Sequence, residues 1–317
     1  MRLKRALLCL IFAALTVFLL YMSAKQDEQS AFKNTVSVAV SSDDPLLPTG
    51  TPVETETTAP VESEDSPTII PTTISGGMVL KNNTSYEIDV AELLKKGPIL
   101  KLDASEPQVL IIHTHSSEAY SPAGLDRYKS SGNTRTQDNN YNVIRVGTEL
   151  ERVLKESGIN VIHDCGVYDY PSYAGSYSRC EEAIRGYLEK YPSICIVFDL
   201  HRDALGTDDV IYKTVATEDG VCASQIMMVL GSDDSGLEHP NWTSNLRLAL
   251  YLQNEILKKY PSLMRPVTLV PYRYNQQLTA GSMILEVGCN GNTLQEALAA
   301  IRLFGKTVGP ALAELVE

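Results

Sequence analysis

The chain has 317 residues, of which 44% are apolar and 21% are charged, so it can form a hydrophobic core and is not disordered throughout. Its 27 basic and 39 acidic residues give a net charge of −12, which excludes a typical nucleic-acid-binding protein with a basic surface. Six cysteines are too few for a disulfide scaffold in a chain of this length, and the sequence leaves open whether Cys165 and Cys180 pair.

The N-terminus predicts a membrane segment. Basic residues at positions 2, 4 and 5 precede eighteen uncharged residues, 6–23, which are rich in Leu, Ile, Phe and Ala. This run is just long enough to span a bilayer as a helix, and the basic residues before it favour a cytoplasmic N-terminus. We therefore predict an anchor at 1–24 in a single-pass protein of the cell membrane, with the remaining chain extracytoplasmic. A cleaved signal peptide is the alternative, for which Met22-Ser23-Ala24 is a poor cleavage site.

A polar tract follows the anchor over residues 25–78. Between 26 and 78 the sequence has nine acidic residues and one basic residue, Lys33, a net charge of −8. Clusters of Ser, Thr and Pro accompany these charges, and little apolar surface is available for burial. The composition predicts a disordered, extended acidic linker.

From residue 79 to 317 the composition becomes that of one folded domain, in which short apolar runs alternate with amphipathic stretches. The predicted strands are 109–112, 160–162, 194–198, 210–215, 225–230 and 283–285. The predicted helices are 142–158, 176–191, 241–260 and 292–316, the last interrupted near Gly309-Pro310. Apolar strands that alternate with helices predict an α/β domain with a mostly parallel sheet covered by helices on both faces. Of the strands, 210–215 and 225–230 are expected to be antiparallel to each other.

Three predicted strands are followed by polar residues suited to chemistry. The first ends in His113-Thr114-His115-Ser116-Ser117-Glu118, another in Asp199-Leu200-His201-Arg202-Asp203, and the last in Glu286-Val287-Gly288-Cys289-Asn290. Three of the five histidines in the chain lie at these ends. Because ligands of open α/β sheets bind beyond the carboxyl ends of strands, we expect the functional site here.

The residue types at these ends favour zinc. Catalytic zinc takes three His or carboxylate ligands and keeps one position for water, whose pKa it lowers to about 7. Two histidines from different strands with one carboxylate would complete such a site, and Glu286 would be the general base. The alternative interpretation is that these side chains only form structural hydrogen bonds.

Several motifs in order resemble the stage II sporulation protein P family. They are Val109–Tyr120 (VLIIHTHSSEAY), Asp199–Asp203 (DLHRD), Tyr274–Gln276 (YNQ) and Leu285–Gly288 (LEVG) with Asn292-Thr293 after it. The resemblance covers roughly residues 80–317, and the anchor and acidic linker are also similar to that family. The joint occurrence of the two histidine-containing motifs makes it specific.

The resemblance implies a membrane-anchored cell-wall hydrolase of endospore formers that acts during engulfment of the forespore. Its members cleave the amide between N-acetylmuramic acid and L-alanine, and also peptide cross-links. They act with stage II sporulation protein D, a lytic transglycosylase, and with the membrane partner stage II sporulation protein M. The fold implied is that of the zinc-dependent N-acetylmuramoyl-L-alanine amidases, phosphorylase/hydrolase-like.

Carried over by motif, the resemblance makes His113 or His115 the first zinc ligand, His201 the last, and Glu286 the catalytic base. In the related amidases a Glu at the start of the first helix is the second ligand, and here Asn139–Asn142 occupy that place. The carboxylate ligand is therefore assigned to Glu118. Alternatively, both early histidines bind and Glu118 supports them, since strand alternation would point both to one face.

Other polar residues near these motifs are candidates for substrate contact. Arg202 and Asp203 would orient His201 or contact substrate. Tyr274, Asn275 and Gln276 would line a peptide groove, or form a polar surface turn. Two competing functions remain, a non-catalytic wall-binding scaffold and another metal-dependent hydrolase on the same fold.

Overall fold

The structure is a computed structural model that describes residues 68–104, 107–122, 134–207 and 209–317. The predicted anchor at 1–24 and most of the predicted linker lie outside these residues. The described residues all belong to one compact unit, Val61–Glu317. Within this described part, no helix combines the length and apolarity needed to cross a membrane.

Regular structure begins inside the predicted linker. Strand β1 (Thr68–Thr72) pairs in parallel with β6 (Val210–Thr214) in a separate two-stranded sheet. The predicted linker includes this strand because its Pro and Thr residues resemble those of the polar tract before it.

A seven-stranded central sheet organises the remaining chain. Its order is β2-β10-β9-β11-β5-β3-β4. The strands are β2 (Leu80–Asn82), β3 (Val109–Ile112), β4 (Val161–His163), β5 (Ile196–Asp203), β9 (Ile226–Leu230), β10 (Val267–Leu269) and β11 (Gly281–Cys289). All neighbours are parallel except β9 and β11, which are antiparallel. The prediction of a mixed α/β fold with a mostly parallel sheet is therefore confirmed.

Helices cover both faces of this sheet. They are α1 (Val90–Lys96), α2 (Val143–Glu156), α3 (Ser176–Lys190), α4 (Trp242–Lys259) and α5 (Leu294–Ala313). Apolar side chains of α2, α4 and α5 share one core with the sheet, while α3 packs in a second core against β3 and β5. Along β5, Phe198 and Leu200 face the first core, so Asp199 and His201 lie on the α3 face by strand alternation.

The observed elements differ from the predictions at β9 and in α5, and the structure answers the question of cysteine pairing that the sequence left open. Strand β9 pairs antiparallel with β11 and not with β6, which pairs with β1. Between β6 and β9 in the sequence, strands β7 (Ala216–Glu218) and β8 (Val221–Ala223) form a short antiparallel hairpin. Helix α5 continues through Pro310 to Ala313, although a proline cannot donate the backbone hydrogen bond of its turn. The five described cysteines are free, so Cys165 and Cys180 are not bonded to each other.

Candidate functional site at the strand ends

The site lies where β5 and β11 run side by side on the α3 face of the sheet. Glu286 and His201 are register partners on these two parallel strands, and both side chains are buried. Alternation places Asp199 on the same face as His201. A carboxylate and an imidazole from distant parts of the sequence are therefore neighbours because of strand order alone.

The turn after β3 brings Glu118 to this place. The backbone N–H and hydroxyl of Thr114 donate to Asp199 at 2.8 and 2.6 Å, which turns the chain as soon as the strand ends at Ile112. Beyond the turn, the amide of Arg202 donates to Glu118 Oε2 at 3.2 Å. The turn is thus fastened to β5 at both of its ends.

His115, Glu118 and His201 form one buried group. Glu118 Oε2 lies 3.4 Å from His201 Nδ1, and Asp199 Oδ1 lies 2.9 Å from the other ring nitrogen of His201. The His115 ring stands edge-on to His201, with ring centroids 5.3 Å apart. The His115 ring also stacks on the Tyr173 ring, with centroids 4.4 Å apart, and lies edge-on to the Tyr177 ring, with centroids 5.5 Å apart.

His113 lies outside this group. Its Nδ1 donates to the Leu200 carbonyl at 3.0 Å, and its Nε2 lies 2.8 Å from His163 Nε2. Both rings pack against α2 at Gly147. A Cβ atom on residue 147 would lie only 2.6 Å from His163 Nε2 and 2.7 Å from His113 Nε2, so only glycine fits there. We expected His113 and His115 to share a face, but β3 ends at Ile112 and the turn redirects His115.

The charges of the group are mutually dependent. Burial alone would lower the pKa of His201, but the carboxylates of Asp199 and Glu118 outweigh burial and raise it well above its ordinary value. Burial would raise the pKa of Glu118, but the hydrogen bond from His201 and the charge of Arg202 outweigh it and lower that pKa. Burial lowers the pKa of His115 to about 4. In the metal-free group the two carboxylates therefore favour the protonated form of His201.

Glu286 has a different environment. Burial, together with the neighbouring charge of Asp203, raises the pKa of Glu286 to about 8. In the described part of the chain its Oε2 atom is buried without a hydrogen-bond partner. Asp203 is itself paired with Arg265 at 2.7 Å in a buried ion pair. A carboxyl with a pKa near neutrality and an open oxygen is suited to proton transfer.

Most of the residues predicted to contact substrate have side chains that hydrogen-bond to backbone atoms of the protein. The Arg202 guanidinium donates to the carbonyls of Ala119, Asp203 and Thr134. The side-chain amide of Gln276 donates to the Val229 carbonyl of β9 and accepts from the Gly231 amide. The Asn275 side chain donates to the Tyr177 carbonyl. Tyr274, with its ring centroid 5.5 Å from that of Tyr177, is the member of the predicted groove nearest to the aromatic side of the site.

The donor set fits zinc in type and partly in spacing. Two ligands held 2.0–2.1 Å from a tetrahedral ion lie about 3.4 Å apart. Glu118 Oε2 and His201 Nδ1 have this separation, and His115 Nδ1 is buried without a hydrogen-bond partner among the described residues. As positioned, however, no three His, Cys, Asp or Glu side chains of the described residues converge closely enough to hold a metal ion.

A family model for stage II sporulation protein P matches residues 17–309 of this sequence. The chain belongs to the stage II sporulation protein P family. The match confirms the resemblance drawn from the four sequence motifs, and it extends over all of them. No curated protein sequence matches the chain.

Solved structures of amidases are distantly similar to this family member. The N-acetylmuramoyl-L-alanine amidase AmiC2 of Nostoc punctiforme is 11% identical, with a TM-score of 0.37, and the match covers 65% of this chain and 97% of that chain. The CwlD amidase of Clostridioides difficile, solved in complex with the GerS lipoprotein, is 12% identical, with a TM-score of 0.38 and coverages of 66% and 98%. Family membership therefore rests on the sequence match.

Sequence reasoning missed several residues that hold the site of this family member. Asp199 precedes His201 by two positions, so strand alternation would have been enough to place it beside the imidazole. Arg265 precedes a three-residue strand that was not predicted. Arg135, Asp169 and Tyr173 lie outside helices and strands, where no periodic signal marks a residue.

Proposed function

We propose that this protein is a zinc-dependent peptidoglycan hydrolase that cleaves the N-acetylmuramoyl-L-alanine amide, and also peptide cross-links, during sporulation. Family membership supports the amidase role. The single observation that carries the proposal is the buried group of His115, Glu118 and His201 on the same face as Glu286. These three side chains would hold the zinc ion, with Asp199 orienting His201 from behind.

The chemistry assigns a separate role to each side chain. When bound, zinc would polarise the scissile carbonyl and lower the pKa of the attacking water. As its carboxylate, Glu286 would accept a proton from the attacking water and return it to the leaving amine. Asp199 Oδ1 lies 2.9 Å from Nε2 of His201 and would favour a proton on that nitrogen, which leaves Nδ1 on the side of Glu118. Burial of the group excludes bulk water from the reacting atoms.

Digestion of purified sacculi by the full chain in detergent tests this proposal. Mass spectrometry should detect free lactyl ends on muramic acid together with released stem peptides. His201→Ala and Glu286→Ala should each abolish release, whereas Glu314→Ala, which removes an exposed carboxylate at the end of α5, should not. Released acetate instead of peptides would indicate a different metal-dependent hydrolase. Wild-type activity in both site variants would contradict the enzyme proposal.

The remaining parts of the proposal concern place and partners. The predicted anchor at 1–24 would hold the protein in the cell membrane, with the hydrolase domain extracytoplasmic, where peptidoglycan lies. Family resemblance supports engulfment of the forespore as the process, and stage II sporulation proteins D and M as partners. Protease accessibility of the domain in intact protoplasts tests the orientation, and co-purification with each partner from sporulating cells tests the assembly.

A further inference from the structure

Arg135 is held opposite Glu118 by a short antiparallel pairing. The Ala119 amide donates to the Thr134 carbonyl at 2.9 Å, and the Thr136 amide donates to the Ser117 carbonyl at 2.8 Å. These bonds make Glu118 and Arg135 directly opposite residues of a two-segment ladder. Side chains at such positions lie on the same face and within reach of each other.

The Arg135 guanidinium connects Glu118 to a buried anchor. Its Nη2 lies 3.4 Å from Glu118 Oε1, the carboxylate oxygen that does not face His201. Its Nη1 donates to Asp169 Oδ2 at 2.8 Å and to Ser117 Oγ at 3.1 Å. The Asp169 side chain is fully buried and also accepts from the backbone amide of Ser117. Glu118 is therefore fixed through both oxygens, one by Arg135 and one by the β5 backbone.

Arg135 also reaches His115 through an aromatic ring. Its guanidinium carbon lies 5.0 Å from the centroid of the Tyr173 ring. The same ring stacks on His115 with a centroid distance of 4.4 Å and an interplanar angle of 13°. Tyr173 thus contacts both the Arg135 cation and the stacked His115 ring, and these contacts restrict rotation of the His115 ring.

We propose that Arg135 is a positioning residue for the proposed zinc site, which holds Glu118 directly and His115 through Tyr173. The inference rests on the proposed zinc function. It follows from geometry, because one guanidinium contacts one proposed ligand, Glu118, and the aromatic ring that stacks on a second, His115. Residues that orient metal ligands in this way typically change affinity 10- to 100-fold when they are replaced.

Zinc affinity of the full chain, purified in detergent and stripped of metal, tests the proposal by competition with a chelating dye. Arg135→Met should weaken zinc binding by about 10-fold or more. Arg135→Lys should weaken it less, because it keeps the charge and loses the planar fork. Tyr173→Leu should also weaken binding, and Tyr173→Phe, which keeps the ring, should lose less affinity. Arg152→Met is the matched control, since Arg152 forms ion pairs with glutamates on α2 away from the site.

The outcomes separate the possible failures. Zinc affinity of Arg135→Met within about twofold of the wild type, with Tyr173→Leu equal to Tyr173→Phe, would overturn the inference alone. A lower melting temperature of the metal-free protein with unchanged zinc affinity would show a merely structural role and would also overturn it. If Arg135→Met does not fold, the two Tyr173 variants decide. A wild-type protein that binds no zinc would overturn the proposed function, and the inference with it.

Discussion

The replacement Glu286→Gln should change how the stability of the metal-free protein depends on pH. Glu286 is buried on β11, and burial together with the charge of Asp203 raises its pKa from 4.5 to about 8. Between these values the folded protein keeps a proton that the unfolded chain releases. The folded state therefore binds more protons, and its stability falls as the pH rises through this window.

The size of the effect follows from the same window. One proton bound only by the folded state lowers the free energy of unfolding by about 1.4 kcal/mol for each pH unit. From pH 5.5 to 7.5 Glu286 alone should therefore remove about 3 kcal/mol. Glutamine is nearly isosteric and does not titrate, so the variant should lack this loss. The raised pKa of His201 also lowers the stability as the pH rises above about 6.5. This contribution is present in both proteins, so it cancels when the two free energies of unfolding are compared.

Urea unfolding with a chelator present measures this difference. The single tryptophan, Trp242, stacks on Tyr86 at 5.0 Å and is a suitable fluorescence probe. We expect the free energy of unfolding of Glu286→Gln to exceed that of the wild type by more at pH 7.5 than at pH 5.5, with a change of about 3 kcal/mol. Equal pH slopes in the two proteins would refute the assignment of a raised pKa to Glu286.

Three further predictions concern the supports of the site. Zinc binding must displace the proton of His201, so the association constant should rise about tenfold per pH unit near neutrality in a competition titration, and a flat profile would contradict the raised pKa. Asp199→Asn should weaken zinc binding by about 10- to 100-fold in the same assay, because the carboxylate that orients His201 is lost. Unchanged zinc affinity would show that Asp199 does not orient His201 for metal binding. Arg265→Met should destabilise the protein by about 3–5 kcal/mol in urea unfolding because Asp203 stays buried and unpaired. Adding Asp203→Asn should restore part of that stability, and additive losses would contradict the pairing.

The parts of the site on regular strands were predictable from the sequence. Runs of buried apolar residues in β5 and β11 marked both strands, and His201 and Glu286 follow from where those runs stop. The sequence did not predict that the two residues are register partners, because a single sequence does not define strand order. Both residues lie within the observed strands, which continue to Asp203 and Cys289, and not beyond the strand ends where the sequence placed them.

The first histidine motif shows where sequence reasoning ends. Alternation treats His113 and His115 alike as long as β3 continues, but the Thr114 bonds to Asp199 stop the strand at Ile112. His113 then keeps the alternation of β3 and lies against α2, while His115 is free to meet His201. That bond joins residues 85 positions apart in the chain, so local pattern cannot reveal it.

The loop residues around Glu118 were unpredictable for a related reason. Arg135 and Asp169 are 34 positions apart and meet only because the ladder and the turn place both against Ser117. Neither lies in a segment with periodic hydrophobicity. Long-range ion pairs between loops depend on the completed fold, which a sequence pattern does not describe.

Reconstitution of metal-stripped protein on purified sacculi tests the central claim most directly. The full chain, treated with chelator and then given one equivalent of zinc, is assayed for stem peptides released from muramic acid before and after the addition. The account predicts no release before zinc, recovery after one equivalent, and no recovery in Glu286→Ala. Equal release with and without zinc, or zinc-restored release from Glu286→Ala, would contradict it.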